Sequence, residues 1–244
     1  GESMTLLAHV EEFRVRLIRV ALAVGGGMVA SFFFVDEIFA FVFAPTRRML
    51  PPGAALIYTQ PGEAFALYIN IALISGAIAA SPFIFFQIWG FIAPALYARE
   101  KRFAIPFVLL TTIGALGGAA FSHYVLFPYM IGFFGTFSTA ELAFMPRVSD
   151  VFGLYIKMLG ACALIFQMPT FAFFLARMSL ITAGWLWRNI KYAILVIFIV
   201  SAVITPSADP YNQIIFAAPM IVLYFISIAV AMVARPRTRE DAAA

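Results

Sequence analysis

The sequence predicts an all-α integral membrane protein: six transmembrane helices with both termini cytoplasmic, packed as a kinked, concave bundle. Three observations predict it. Of 244 residues, 64% are hydrophobic and only 11% charged, which leaves too little polar surface to coat a water-soluble globule. Six long apolar runs recur, separated by charges or by proline-containing loops. The alternating pattern of about ten residues that a membrane β-barrel needs does not recur.

The composition also excludes other classes. Twenty-eight Phe and a mean hydropathy of +0.98 are incompatible with disorder. The basic pI of about 9.4 is assigned to membrane topology and lipid head groups, with no nucleic-acid partner expected. A single cysteine, Cys162, has no second thiol for an intrachain disulfide and reads as a small packing residue. With His9 and His123 the only histidines, no metal site and no cofactor is expected.

Residues 1–3 read as a remnant ahead of Met4, residues 4–234 as a single six-helix transmembrane domain, and residues 235–244 as a short cytoplasmic tail. Leu6, Val10, Phe13 and Leu17 recur at helical spacing, which predicts an interfacial amphipathic helix leading into span one. Span one, near 20–35, follows Arg14, Arg16 and Arg19; no small-residue cleavage site comes after it, so it reads as a retained signal anchor. In the next loop, Ile38, Phe39, Phe41, Val42 and Phe43 suggest a segment lying on or capping the bundle, and Pro45, Pro51 and Pro52 stiffen it.

Spans two to six fall near 64–89, 103–121, 151–176, 190–204 and 214–234. Pro82, Pro169 and Pro219 interrupt spans two, four and six, freeing carbonyls that neighbours or water must satisfy. Kinked helices suggest a concave bundle, although membrane helices also carry proline without function. Span five has 15 residues. That is about 22 Å of helix against a hydrocarbon core of about 30 Å, so either Arg188 and Lys191 snorkel or the bilayer thins beside it. Lys157, inside span four, can likewise snorkel to the outer surface.

Orientation follows from the cations. Twelve of the sixteen Lys and Arg lie in the segments on the side of the two termini, three lie opposite, and Lys157 sits within a span. The positive-inside rule puts both termini in the cytoplasm. Catalysis is tested by absence: there is no G-x-S-x-G with a membrane histidine, no H-E-x-x-H, and no Asp or Glu near the middle of a span. The chain is not expected to be an enzyme.

The polar groups that stand out lie at the edges. In residues 9–17, Glu12 and Arg16 are four apart and Glu11 and Arg14 three apart, a pattern that a plain surface ladder of ion pairs also produces. The turn between spans two and three, residues 91–102, ends with Glu100 among Arg99, Lys101 and Arg102. From charge alone Glu100 reads equally as a counter-ion in a lipid-facing basic cluster.

Four blocks in order carry a family resemblance: His-x-x-Glu-x-Arg-x-Arg-Leu at 9–17; Phe-Ile-Ala-Pro-Ala-Leu-Tyr at 91–97 with Glu100 after it; Phe121 to Pro128; and Thr-Pro-Ser-Ala-Asp-Pro-Tyr-Asn-Gln at 205–213. On a six-span chain with both ends inside, they make the sequence resemble TatC, the receptor subunit of the twin-arginine protein translocase, from about His9 to the end of span six. The resemblance implies a signal-peptide receptor in the bacterial cytoplasmic (inner) membrane, exporting folded proteins on the proton-motive force. It works in an oligomeric complex with TatB, which packs near span five, and TatA.

The family's acidic recognition residues match Glu12 and Glu100, with Arg14, Arg16 and Tyr97 in the same motifs. The chemistry fits, because a carboxylate matches an Arg guanidinium bidentately, whereas Lys offers a point charge. Two such contacts would discriminate by about 10² to 10⁴ in affinity. The neighbouring cations Arg99, Lys101 and Arg102 oppose a cationic ligand unless they face lipid phosphates.

Gln213 matches a position linked in the family to partner-helix contacts; a helix-start residue bonded to backbone is the alternative. Gln167 stands where some relatives carry Glu, and satisfying carbonyls freed by Pro169 is its plain role. Asp209 is grouped with these two as a polar group at the membrane, the alternative being a solvated loop charge. The competing function is a six-helix secondary transporter or channel for a small solute, against which the halves show no repeat.

Overall fold

The computed structural model describes residues 6–50, 55–92, 104–139, 141–207 and 209–234. Among these the chain is helical throughout, apart from loops and one isolated bridge between Ile57 and Arg147.

Helix α1 runs unbroken from Leu6 to Phe32. The expected interfacial helix and span one are therefore one element, because nothing in Leu17–Val20 breaks the helix. Its early apolar side chains Val10, Phe13 and Leu17 are exposed, and the Phe13 ring meets Phe91 at 5.4 Å. Helix α2, Val35–Met49, is the expected capping segment, with Val42, Phe43 and Thr46 buried. Helices α3, Glu63–Ala79, and α4, Ser81–Ile92, form span two. They are bent by 58° at Ala80, with Pro82 in the first turn of α4, where its missing N–H costs nothing.

Helix α5, Ala104–Phe121, does not end span three. It continues through a π-helical turn, Ser122–Leu126, into α6, Phe127–Gly135. The π turn re-aims His123 into the core, where its ring stacks on Phe41 at 4.1 Å and its Nδ1 lies 3.2 Å from the Tyr155 hydroxyl. Span four is α7, Val148–Ile165, and α8, Met168–Arg177, broken at 166–167 beside Pro169. A short α9, Ala183–Arg188, leads into α10, Ile190–Ile204, and α11, Pro210–Ala234, completes the fold.

Four of these helical runs are long and apolar enough to cross a membrane, and the bent α3–α4 pair makes a fifth. The sixth expected span, α10, is apolar but only 15 residues long.

Two apolar clusters hold the helices. Phe43, Ile71, Phe127, Met130 and Met158 join α2, α3, α6 and α7. Ile197, Ala217, Met220 and Ile228 join α10 to α11. Contacts also identify the two ends of the molecule. Phe13 of α1 touches Phe91 of α4; Trp89 of α4 stacks with Phe107 of α5 and Phe174 of α8; and the Arg177 guanidinium at the end of α8 donates to the Ala234 carbonyl at the end of α11. The first turns of α1 and the last turn of α11 therefore share one end.

Candidate functional site

The site expected near the N-terminus is built on the first turns of α1 and the last turn of α4. Glu12 and Arg16 are four apart on α1, the spacing at which helix side chains meet, with the acid on the favourable N-terminal side. Arg16 donates from Nη2 and Nε to Glu12 Oε1 at 2.6 and 3.0 Å, and from Nη1 to Gln87 Oε1 on α4 at 3.1 Å. Both charged side chains are 21% exposed. The guanidinium lies flat against Gly90, where any Cβ would overlap it. The absence of a side chain at 90 leaves room for the guanidinium in the place it occupies.

One oxygen of this cluster is unspent. Glu12 Oε2 is out of solvent and accepts no hydrogen bond among the described residues. A buried carboxylate oxygen without a donor costs free energy, so the cluster retains acceptor capacity on Oε2. Arg14 is exposed on the same helix. Tyr97 and Glu100, with Arg99, Lys101 and Arg102, lie outside the described residues. In sequence, their segment falls between the end of α4 at Ile92 and the start of α5 at Ala104.

The other expected polar residues occupy two different places. Gln167 sits in the α7–α8 break, and its Nε2 donates to the Thr111 carbonyl of α5 at 3.0 Å and the Ala163 carbonyl at 3.2 Å. The Gln167 N–H turns to Leu164, so the side chain supplies the donor that the broken helix withholds from Ala163. Its Oε1 has no partner.

Gln213 and Asp209 lie at the opposite end. Gln213 Nε2 donates to the Phe198 carbonyl at 2.9 Å, and Ser201 Oγ donates to the Gln213 carbonyl at 2.6 Å, tying α10 to α11. Asp209 caps α11: Oδ1 accepts the Asn212 N–H at 2.8 Å, with Pro210 in the first helical position. That backbone bond, together with the Ser207 side chain, holds the Asp209 carboxyl below the usual carboxylate range.

Sequence reasoning missed the buried networks of three groups. Gln87 is buried in α4, and its signal was a lone amide inside an apolar run. Asn212 is fully buried, its Nδ2 donating to Ser207 Oγ and Asp209 Oδ2 and its Oδ1 accepting from the Tyr129 hydroxyl. Glu63, the first residue of α3, has a buried carboxylate reached by Arg147 at 3.1 Å and by the N–H groups of Thr59 and Ser149.

Comparison with known proteins sets this geometry in a family. The family model described as TatC, Sec-independent protein translocase protein, matches residues 8–219. The chain is 38% identical to the Sec-independent protein translocase protein TatC of Koribacter versatilis over 98% of its own length and 89% of that protein. It is 36% identical to that of Helicobacter pylori strain J99, over 97% and 92%. A crystal structure described as the twin arginine translocase receptor TatC superposes with a TM-score of 0.75 at 34% identity, covering 93% of this chain and 99% of that one. A second, solved in DDM, gives 0.76 at 32% identity over 91% and 99%.

Proposed function

This chain belongs to the TatC family of Sec-independent protein translocase proteins, a multi-pass membrane transport family, and we propose that it is the receptor that binds twin-arginine signal peptides of folded precursors. The observation that carries the reading is the unpartnered, desolvated Oε2 of Glu12 beside a guanidinium already held on Oε1. The cluster already holds one guanidinium and has acceptor capacity left on Oε2 for a second donor. Gln87 and Gly90 hold Arg16 to one side, so an arriving arginine meets an oriented carboxylate.

Glu100 supplies the second acid of the clamp, with Tyr97 beside it. Its segment follows α4 in the sequence, starting two residues beyond Phe91, whose ring packs on Phe13, the residue after Glu12. Arg16 positions the carboxylate, exposed Arg14 lies on the same helix, and Arg99, Lys101 and Arg102 face lipid phosphates. In this reading six spans cross the bacterial inner membrane, the shared end of α1 and α11 is cytoplasmic, residues 4–234 form one domain, and residues 235–244 are a tail. TatB and TatA join the complex, with Gln213, Gln167 and Asp209 near partner or membrane-embedded polar contacts, and the proton-motive force drives passage. The chain is not an enzyme.

The test is binding of a labelled twin-arginine signal peptide to the purified protein with Glu12→Gln, Glu100→Gln and both. Each single replacement should weaken binding by about tenfold or more, and the twin-lysine peptide should respond far less. Affinity unchanged with both acids neutralised overturns the clamp.

A further inference from the structure

A groove runs along the outside of the bundle between the α7–α8 break, α9, α10 and α11, with a volume of about 650 Å³. Its floor, Ile197, Met220 and Tyr224, is buried, while its walls, Phe171, Trp185 and Val196, are exposed, so it opens sideways. No acidic residue is among the described residues that line it.

Three features state what fits there. The groove follows α10 from Asn189 to Val200, about 16 Å by helical rise. That is about half of a 30 Å hydrocarbon core, the depth that an acyl chain of one leaflet occupies. The lining is apolar except at the end nearest α9, where Asn189, Trp185 and Tyr192 lie, the residue types that settle at a head-group boundary. Cations flank that same end: the Lys191 ammonium stands 5.0 Å from the Tyr192 ring centroid, and Arg188 is three residues beyond Trp185 on α9.

We propose that the groove is a binding site for one anionic phospholipid of the leaflet on the side of the two termini. The acyl chain lies between α8 and α10, and the phosphate pairs with Arg188 and Lys191. The inference does not depend on the signal-peptide reading, since it uses none of that site's residues. It also gives the short α10 a boundary lipid of its own on the side where its first turn meets the head groups.

The test uses the full chain with Trp187→Phe, so that Trp185 is the exposed indole, in phosphatidylcholine vesicles with a minor share of phosphatidylglycerol. One lipid or the other carries brominated acyl chains. At equal mole fraction, brominated phosphatidylglycerol should quench Trp185 more than brominated phosphatidylcholine, by about fivefold per engaged cation. Replacing the exposed pair, Arg188→Gln with Lys191→Gln, should bring the two lipids level. Filling the groove with Ala193→Phe should reduce quenching by both.

Equal quenching by the two lipids in the parent, or a preference that survives the double replacement, overturns the proposal. So does a Trp185 reached by neither lipid, the result expected if a protein helix occupies the groove.

Discussion

Gly27 of α1 and Gly76 of α3 meet backbone to backbone: a Cβ on Gly27 would stand 2.7 Å from the Gly76 carbonyl oxygen, and one on Gly76 would overlap Gly27 and Met28. This contact sets how closely the first helix lies on the bundle, and through it where Arg16, which holds Glu12, meets α4. Gly76→Ala should lower thermal stability in detergent by about 1–3 kcal/mol, since two backbones must part. Gly25→Ala and Gly26→Ala meet no atom within 4 Å and should leave the melting temperature unchanged or higher. An equal loss at all three positions would show that helix flexibility, and not the crossing, is what glycine supplies.

Asn212 uses both amide protons and its carbonyl oxygen inside the protein. Asn212→Leu strips three partners at once and should cost about 2–4 kcal/mol. Tyr129→Phe removes only one of those bonds and should cost about 1 kcal/mol. Thermal melts of the two variants check the ranking; a Tyr129→Phe loss as large as that of Asn212→Leu would mean that the hydroxyl, and not the amide, organises the turn.

Asp209 titrates below the ordinary carboxylate because its charged form caps α11. A lowered folded-state pKa means the contribution is fully present above about pH 4 and disappears as pH falls through the folded value. The parent should therefore lose stability relative to Asp209→Asn on acidification below about pH 4, and the difference between the two should be constant from pH 5 to 8. A difference that grows on acidification would reverse the assignment.

Ser179 closes α8 with φ of 60°, the left-handed conformation that a glycine usually supplies. Its N–H bonds the Ala176 carbonyl and the Leu180 N–H bonds Leu175, the paired bonds of a Schellman ending. Ser179→Gly should raise stability by about 0.5–1 kcal/mol. The expected shift is a few degrees in the melt, with a Ser179→Val variant moving the opposite way.

The apolar runs forecast span five to the residue, because the apolar run 190–204 ends at a polar turn that no side-chain contact could move. Span two came within a few residues, and its break came from Pro82. Span three was cut short at Phe121, where the polar pair Ser122 and His123 follows; a π turn carries the helix on and buries both. The candidate site was half legible. A carboxylate at 12 and a guanidinium at 16 share a helix face in any register, but Gln87, which completes the cluster, is 71 residues from Arg16.

Membership of the membrane, the number and order of apolar runs and the asymmetry of charge were determined by the sequence alone, because each depends on composition over a stretch of chain and on water's cost for apolar surface. Which polar atoms are satisfied was decided only by the tertiary structure. Glu12 Oε2 is left without a donor, Asn212 is left with none to spare, and Gly27 and Gly76 touch, all through contacts between helices far apart in the chain. Hydrogen bonds and close packing act over a few ångströms, and those distances exist only once the helices have been set against one another.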